Sequence, residues 1–165
     1  MNAKLLKKKN YLAMIENAAK GENWMFRNFY IETDSKELDV LNDGHLSCAT
    51  FASSILYLFN SVLEFLGRSK WIGFTHANTS STEKDMLAHG WLEIKELKPG
   101  AVLIWEKKLA KDDNKEYLHI GFYIGNDMAI SNDSQGTGFP HKHQYTYSDT
   151  RKIEKIYWHP ALGEE

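Results

Sequence analysis

The chain has few of the residues that cross-link or punctuate a fold: one cysteine and three prolines in 165 residues. A lone cysteine cannot close an internal disulfide, so folding does not depend on an oxidising compartment. Scarce proline beside only eleven glycines excludes collagen-like and low-complexity architectures. Neither sign of charge dominates. Twenty Lys and Arg against twenty-two Asp and Glu leave −2, which gives no basic footprint for a nucleic-acid backbone. No run approaches the ~18 apolar residues that would propose a membrane span. Lys4, Lys7, Lys8 and Lys9 before Tyr11–Ile15 imitate an export signal, but Glu16 and Asn17 interrupt the apolar part, where ~7 to 15 apolar residues are needed. A cytoplasmic location, barring export by a route without a signal peptide, is the expectation.

What is present is an ordinary globular composition, 42% hydrophobic, in a length that suits one domain over residues 1–165. Residues 4–20 suit a surface helix ending at Gly21. Trp24, Phe26, Phe29 and Tyr30 form an aromatic cluster, and Asp34–Asp43 reads as a short polar helix or loop. Cys48, Phe51, Ala52, Ile55, Phe59, Val62, Leu63 and Leu66 recur at intervals of three or four and mark a buried helical face. Ser47 is placed to cap its start and Gly67 to end it. A shorter helix fits Ser81–His89. Beyond it the pattern turns to strands: Ala101–Trp105, Leu118–Ile124, Met128–Ser131, the alternation His141, His143, Tyr145, Tyr147, and Ile153–Trp158. Lys107, Lys108, Lys111, Asp112, Asp113, Lys115 and Glu116 read as a solvated connection. Helices first and strands later predict an α+β fold, with the long helix packed on an antiparallel sheet.

Two residues carry chemistry. Cys48 opens the long helix, where unpaired amides and the helix dipole favour a thiolate and can stabilise an oxyanion. His119 lies in an apolar strand and shares a face with Gly121 and Tyr123, glycine leaving room above the sheet. Together they fit the pair of a thiol hydrolase. Taken separately, each reads first as core packing. Hairpin arithmetic identifies a third polar group: a two-residue turn at Gly125–Asn126 pairs Ile124 with Asp127 and His119 with Asn132. A bulge or longer turn brings Ser131 or Asp133 into reach instead.

The segments Gly44-His45-Leu46-Ser47-Cys48-Ala49-Thr50-Phe51, Leu97-Lys98-Pro99-Gly100-Ala101-Val102-Leu103-Ile104-Trp105 and His119-Ile120-Gly121-Phe122-Tyr123-Ile124-Gly125-Asn126 resemble the three signatures of NlpC/CHAP peptidases and amidases. The first departs from the family's usual Asp-Cys-Ser-Gly, and the second has Gly100-Ala101 where Gly-Asp is common. The resemblance covers most of residues 42–132. It implies a papain-like fold, Cys48 as nucleophile, His119 as base, and Ser131 at the position of the orienting residue. It also implies Tyr30 as an aromatic hydroxyl upstream of the nucleophile, and cell-wall peptides or related small amides as substrates. His45 and His141 are further candidates for the substrate groove. His141 and His143 could also suggest zinc, but no metal-binding spacing accompanies them. Neither a metal nor an organic cofactor is required for this chemistry. The alternatives are a catalytically silent domain binding peptide or glycan, and a thiol acyltransferase using the same residues.

Overall fold

The computed structural model describes residues 4–110 and 114–164, so Lys111, Asp112 and Asp113 of the charged connection lie outside the described residues. The fold is α+β. Helix α1 (Lys7–Ala18) leads to a 3-10 turn at Trp24–Phe26, then strands β1 (Tyr30–Thr33) and β2 (Lys36–Asp39). Helices α2 (Cys48–Phe65) and α3 (Thr79–Ala88) follow. The rest of the chain is strands β3 (Leu92–Ile94), β4 (Val102–Leu109), β5 (Glu116–Gly125), β6 (Met128–Asn132), β7 (Pro140–Gln144) and β8 (Ile153–Trp158). These six form one sheet in the order β3-β8-β4-β5-β6-β7, every neighbour antiparallel.

Helix α2 packs on β5 and β6. Its Phe51, Ile55, Phe59 and Leu63 are fully buried, each stabilising the fold by ~1.5–3 kcal/mol relative to exposure. Its composition also meets the length and apolarity of a membrane span. Ten of its residues are buried against the rest of the protein, which accounts for that apolarity. A Schellman arrangement ends it: Gly67, at φ +64°, donates to Glu64 and Arg68 donates to Leu63. The start differs from expectation. Ser47 does not cap the helix, because its hydroxyl donates instead to the Gly44 carbonyl at 3.0 Å.

Residues 34–43 contain no helix. Asp34 and Ser35, both left-handed, make the two-residue turn of the β1–β2 hairpin. Both strands are almost wholly exposed, so no inward-outward alternation marked them in the sequence. The alternation at residues 141–147 likewise ends early, since β7 stops at Gln144 and Tyr145 and Tyr147 belong to the turn after it.

Two glycines let the layers close. Gly44, at φ +87°, meets the Gly138 backbone, so a side chain there would collide with the Gly138 carbonyl. This contact docks the loop before α2 onto the β6–β7 connection. Gly121 on β5 pairs with Ser131 on β6, and a Cβ there would lie 2.5 Å from the Ile130 carbonyl oxygen and 2.6 Å from the Ser131 Cβ. Gly121→Ala is expected to push β6 away and destabilise the protein by about 1–3 kcal/mol, read as a lowered urea midpoint. An unchanged midpoint would show that the two strands have slack at this point.

Candidate active site

Cys48 is the first residue of α2, and its sulfur sits against β5 on either side of His119. The thiol lies 4.0 Å from the Leu118 carbonyl oxygen, and the amides of Ile120 and Ala49 point toward it. The residue is buried, 8% exposed. Burial pushes the thiol above its ordinary pKa, and the amides, Arg151 and the Thr79 hydroxyl pull the other way without prevailing. The helix start alone therefore does not make a resting thiolate, contrary to what the sequence position suggested.

His119 is held by Ser131, with Nε2 and Oγ 2.8 Å apart. The Ser131 hydroxyl has two further partners, His143 Nε2 at 2.8 Å and the Tyr147 hydroxyl at 2.7 Å. Counting protons assigns the direction of each bond. The Gln144 carbonyl can only accept, so His143 Nδ1, 2.8 Å away, carries a proton. Burial pulls the pKa of His143 down to about 4, leaving the ring neutral near pH 7 and its Nε2 an acceptor. The single Ser131 proton therefore goes to His143. The two lone pairs of Ser131 Oγ then accept from the Tyr147 hydroxyl and from His119 Nε2–H. His119, held neutral because burial and the nearby Arg151 lower its pKa far below the usual value, keeps an unprotonated Nδ1. That nitrogen makes no hydrogen bond among the described residues, which is the condition of a base ready to take a proton.

The structure corrects the orienting residue. Asn132 does not face His119: its side-chain amide donates to the Gly44 carbonyl at 2.6 Å. The cause is a bulge. Asn126 and Asp127, not Gly125 and Asn126, occupy the centre of the turn with φ of +52° and +56°, which by itself shifts the pairing by two residues and keeps the faces; the bulge between Tyr123 and Gly125 takes back one residue. Gly121 consequently pairs with Ser131, and a one-residue change of register moves every side chain of β6 to the other face.

His45 lines the same cavity as Cys48 and His119 and is anchored through Nδ1 to the Ser134 carbonyl at 3.1 Å. His141 stacks beside His143, ring centres 4.9 Å apart, and lines a smaller adjoining cavity. Tyr30 stands on the exposed β1 strand, 65% exposed, and lines neither cavity. Sequence reasoning missed Tyr147 and Arg151. Both come from the turn after β7, which Trp105 anchors by donating to the Tyr145 carbonyl at 2.7 Å. The one available signal was Trp105 itself, a large indole fully buried under His119 with ring centres 5.4 Å apart.

The cavity shared by Cys48 and His119 has a volume of about 370 Å³, near the lower end for small-molecule sites. Among the described residues, no group of three or more His, Cys, Asp and Glu is arranged to hold a metal ion. Compared with family models, curated proteins and solved structures, the chain matches none.

Buried neutral histidines make stability depend on pH in a defined direction. In the unfolded chain His143 protonates near pH 6.5, in the folded protein only near 4, so its contribution is complete above about 6.5 and is lost as pH falls toward 4. The loss from this residue is up to about 3 kcal/mol. Urea unfolding should therefore show a steeper fall in stability between pH 6.5 and 4 for the parent than for His143→Gln. Equal slopes would contradict the neutral assignment.

Proposed function

We propose that the chain is a papain-like cysteine hydrolase of the NlpC/CHAP kind, cleaving a peptide or small amide of the sort found in bacterial cell walls. The observation that carries this reading is the meeting in one cavity of a thiol at a helix start and a histidine whose Nε2 is fixed by Ser131. The order of the three sequence signatures supports the same family.

In this mechanism the resting pair is neutral. As the Cys48 sulfur attacks the amide carbonyl, the thiol proton passes to His119 Nδ1. The tetrahedral oxyanion is met by the Cys48 backbone N–H, which at the first helical residue has no partner within its helix. The C–N bond then breaks and His119 returns the proton to the departing amine, leaving a thioester. Water, deprotonated by His119, attacks the thioester, and the carboxylate product leaves as the thiol is restored. Ser131 acts throughout by holding Nε2–H, so that Nδ1 is always the nitrogen that moves the proton. Transfer to another amine in place of water gives an acyltransferase with the same residues.

The burial that keeps the thiol protonated favours a second reading, a silent domain that binds peptide or glycan in the same cavity. Turnover separates the two. On a wall-derived peptide that the parent cleaves, Cys48→Ala and His119→Ala should each lower kcat by at least about a thousandfold, with substrate binding retained. Full turnover in both variants would eliminate the mechanism, and a parent that binds such peptides without cleaving them would establish the silent domain.

A further inference from the structure

Arg151 is the buried cation of this site, and the mechanism above leaves it unused. It follows the turn after β7 and is 9% exposed. Its Nε and Nη2 donate to the Glu106 carbonyl at 3.1 and 3.0 Å, and Nη2 also donates to the Tyr117 carbonyl at 3.2 Å. These bonds fix the plane of the guanidinium but supply no negative charge. Among the described residues no carboxylate lies within ion-pair distance of it. The Glu106 carboxylate accepts from the Lys152 amide, and Asp133 is tied to Thr137. Nη1 makes no hydrogen bond among the described residues.

The surroundings favour an anion on balance: Lys107, Lys108 and Arg151 line the Cys48 cavity against one carboxylate, Glu116, and Lys108 and Arg151 line the smaller cavity against Asp133. Arg151 lines both the Cys48 cavity and the smaller one beside it. The first turn of α3, with Asn78, Thr79 and Ser80, lines the Cys48 cavity, as does the first turn of α2, so two helices direct their positive ends into it. Lys108 lines both cavities. The thiol supplies no counter-charge at rest, because burial keeps it protonated. A buried guanidinium left unpaired is costly, and an arginine presents a planar donor edge matched to a carboxylate.

We propose that Arg151 is a substrate-specificity residue, binding a free carboxylate carried by the substrate next to the scissile amide. The proposal rests on the hydrolase reading, because it takes Cys48 as the attacking group. It narrows the substrates to acidic peptides or amides with a carboxylate flanking the bond that is cut. Neutral amides of the same size are then poor substrates.

Two alkylating agents of equal size test it on the whole protein. Iodoacetate carries a carboxylate and iodoacetamide does not; both read the same thiolate, so the ratio of their rates at Cys48 cancels the thiolate fraction. The ratio for the parent should exceed that for glutathione, at equal pH and ionic strength, by about tenfold or more. It should persist in His119→Ala, which excludes an imidazolium as its source. It should fall to the glutathione value in Arg151→Gln and survive in part in Arg151→Lys. In the parent, acetate should slow alkylation by iodoacetamide in a saturable way. These two measurements on the parent do not depend on whether an Arg151 variant folds. A parent ratio at or below that of glutathione, together with no protection by acetate, would overturn the proposal. Failure of the hydrolase reading looks different: His119→Ala would then retain the parent's turnover, whatever the alkylation ratio.

Discussion

One hydroxyl proton decides how the site works. Ser131 has a single hydrogen to give and three partners at hydrogen-bond distance, so fixing the bond in which it donates makes it the acceptor in the other two. The fixed point is a backbone carbonyl, Gln144, which can never donate. From it the protonation pattern runs through His143 and Ser131 to His119, and it ends by leaving His119 Nδ1 unprotonated. Serine fits this position because it both donates and accepts. A buried alanine there would leave His143 Nε2, the Tyr147 hydroxyl and His119 Nε2–H with nothing to bond.

The fold makes that cluster possible by close approach. Gly121 admits Ser131 to the His119 side of the sheet, and Trp105 forms the floor on which the imidazole lies. The turn beyond β7 contributes the third partner at a conformational cost. Tyr147, Ser148 and Asp149 are all left-handed, with φ of +53°, +55° and +65°. For a bulky tyrosine this is unfavourable backbone. The Gln144 side chain compensates, its Oε1 accepting from the amides of Thr146 and Ser148 and from the Thr146 hydroxyl. The strain holds Tyr147 over the cluster and delivers Arg151 to the cavity wall.

Much of the architecture was legible because it follows simple periodicities. The three-and-four spacing from Cys48 to Leu66 became α2, and the apolar runs around Ile104 and Ile120 became the central strands. Cys48 and His119 were legible as candidates because a polar reactive group in each interrupts an apolar pattern. The partner of His119 was not, since the bulge between Tyr123 and Gly125 leaves no mark in the sequence and its one-residue shift reverses the faces of β6. Tyr147 and Arg151 lay beyond reach for a different reason: their positions depend on a turn shaped by left-handed non-glycine residues and by a side chain, Gln144, bonding to the backbone. Such turns leave no periodic trace. The raised pKa of the Cys48 thiol was not legible either, because helix-end electrostatics are visible in a sequence and the degree of desolvation is not.

The account stands on which nitrogen of His119 holds the proton, and that is directly observable. Long-range ¹H–¹⁵N correlation spectra of the protein labelled at histidine, recorded near pH 8, distinguish the two neutral tautomers and the imidazolium. The account requires His119 as the neutral Nε2–H form, with Nδ1 bearing a lone pair. A ring protonated at Nδ1, or one that is cationic at that pH, would contradict it.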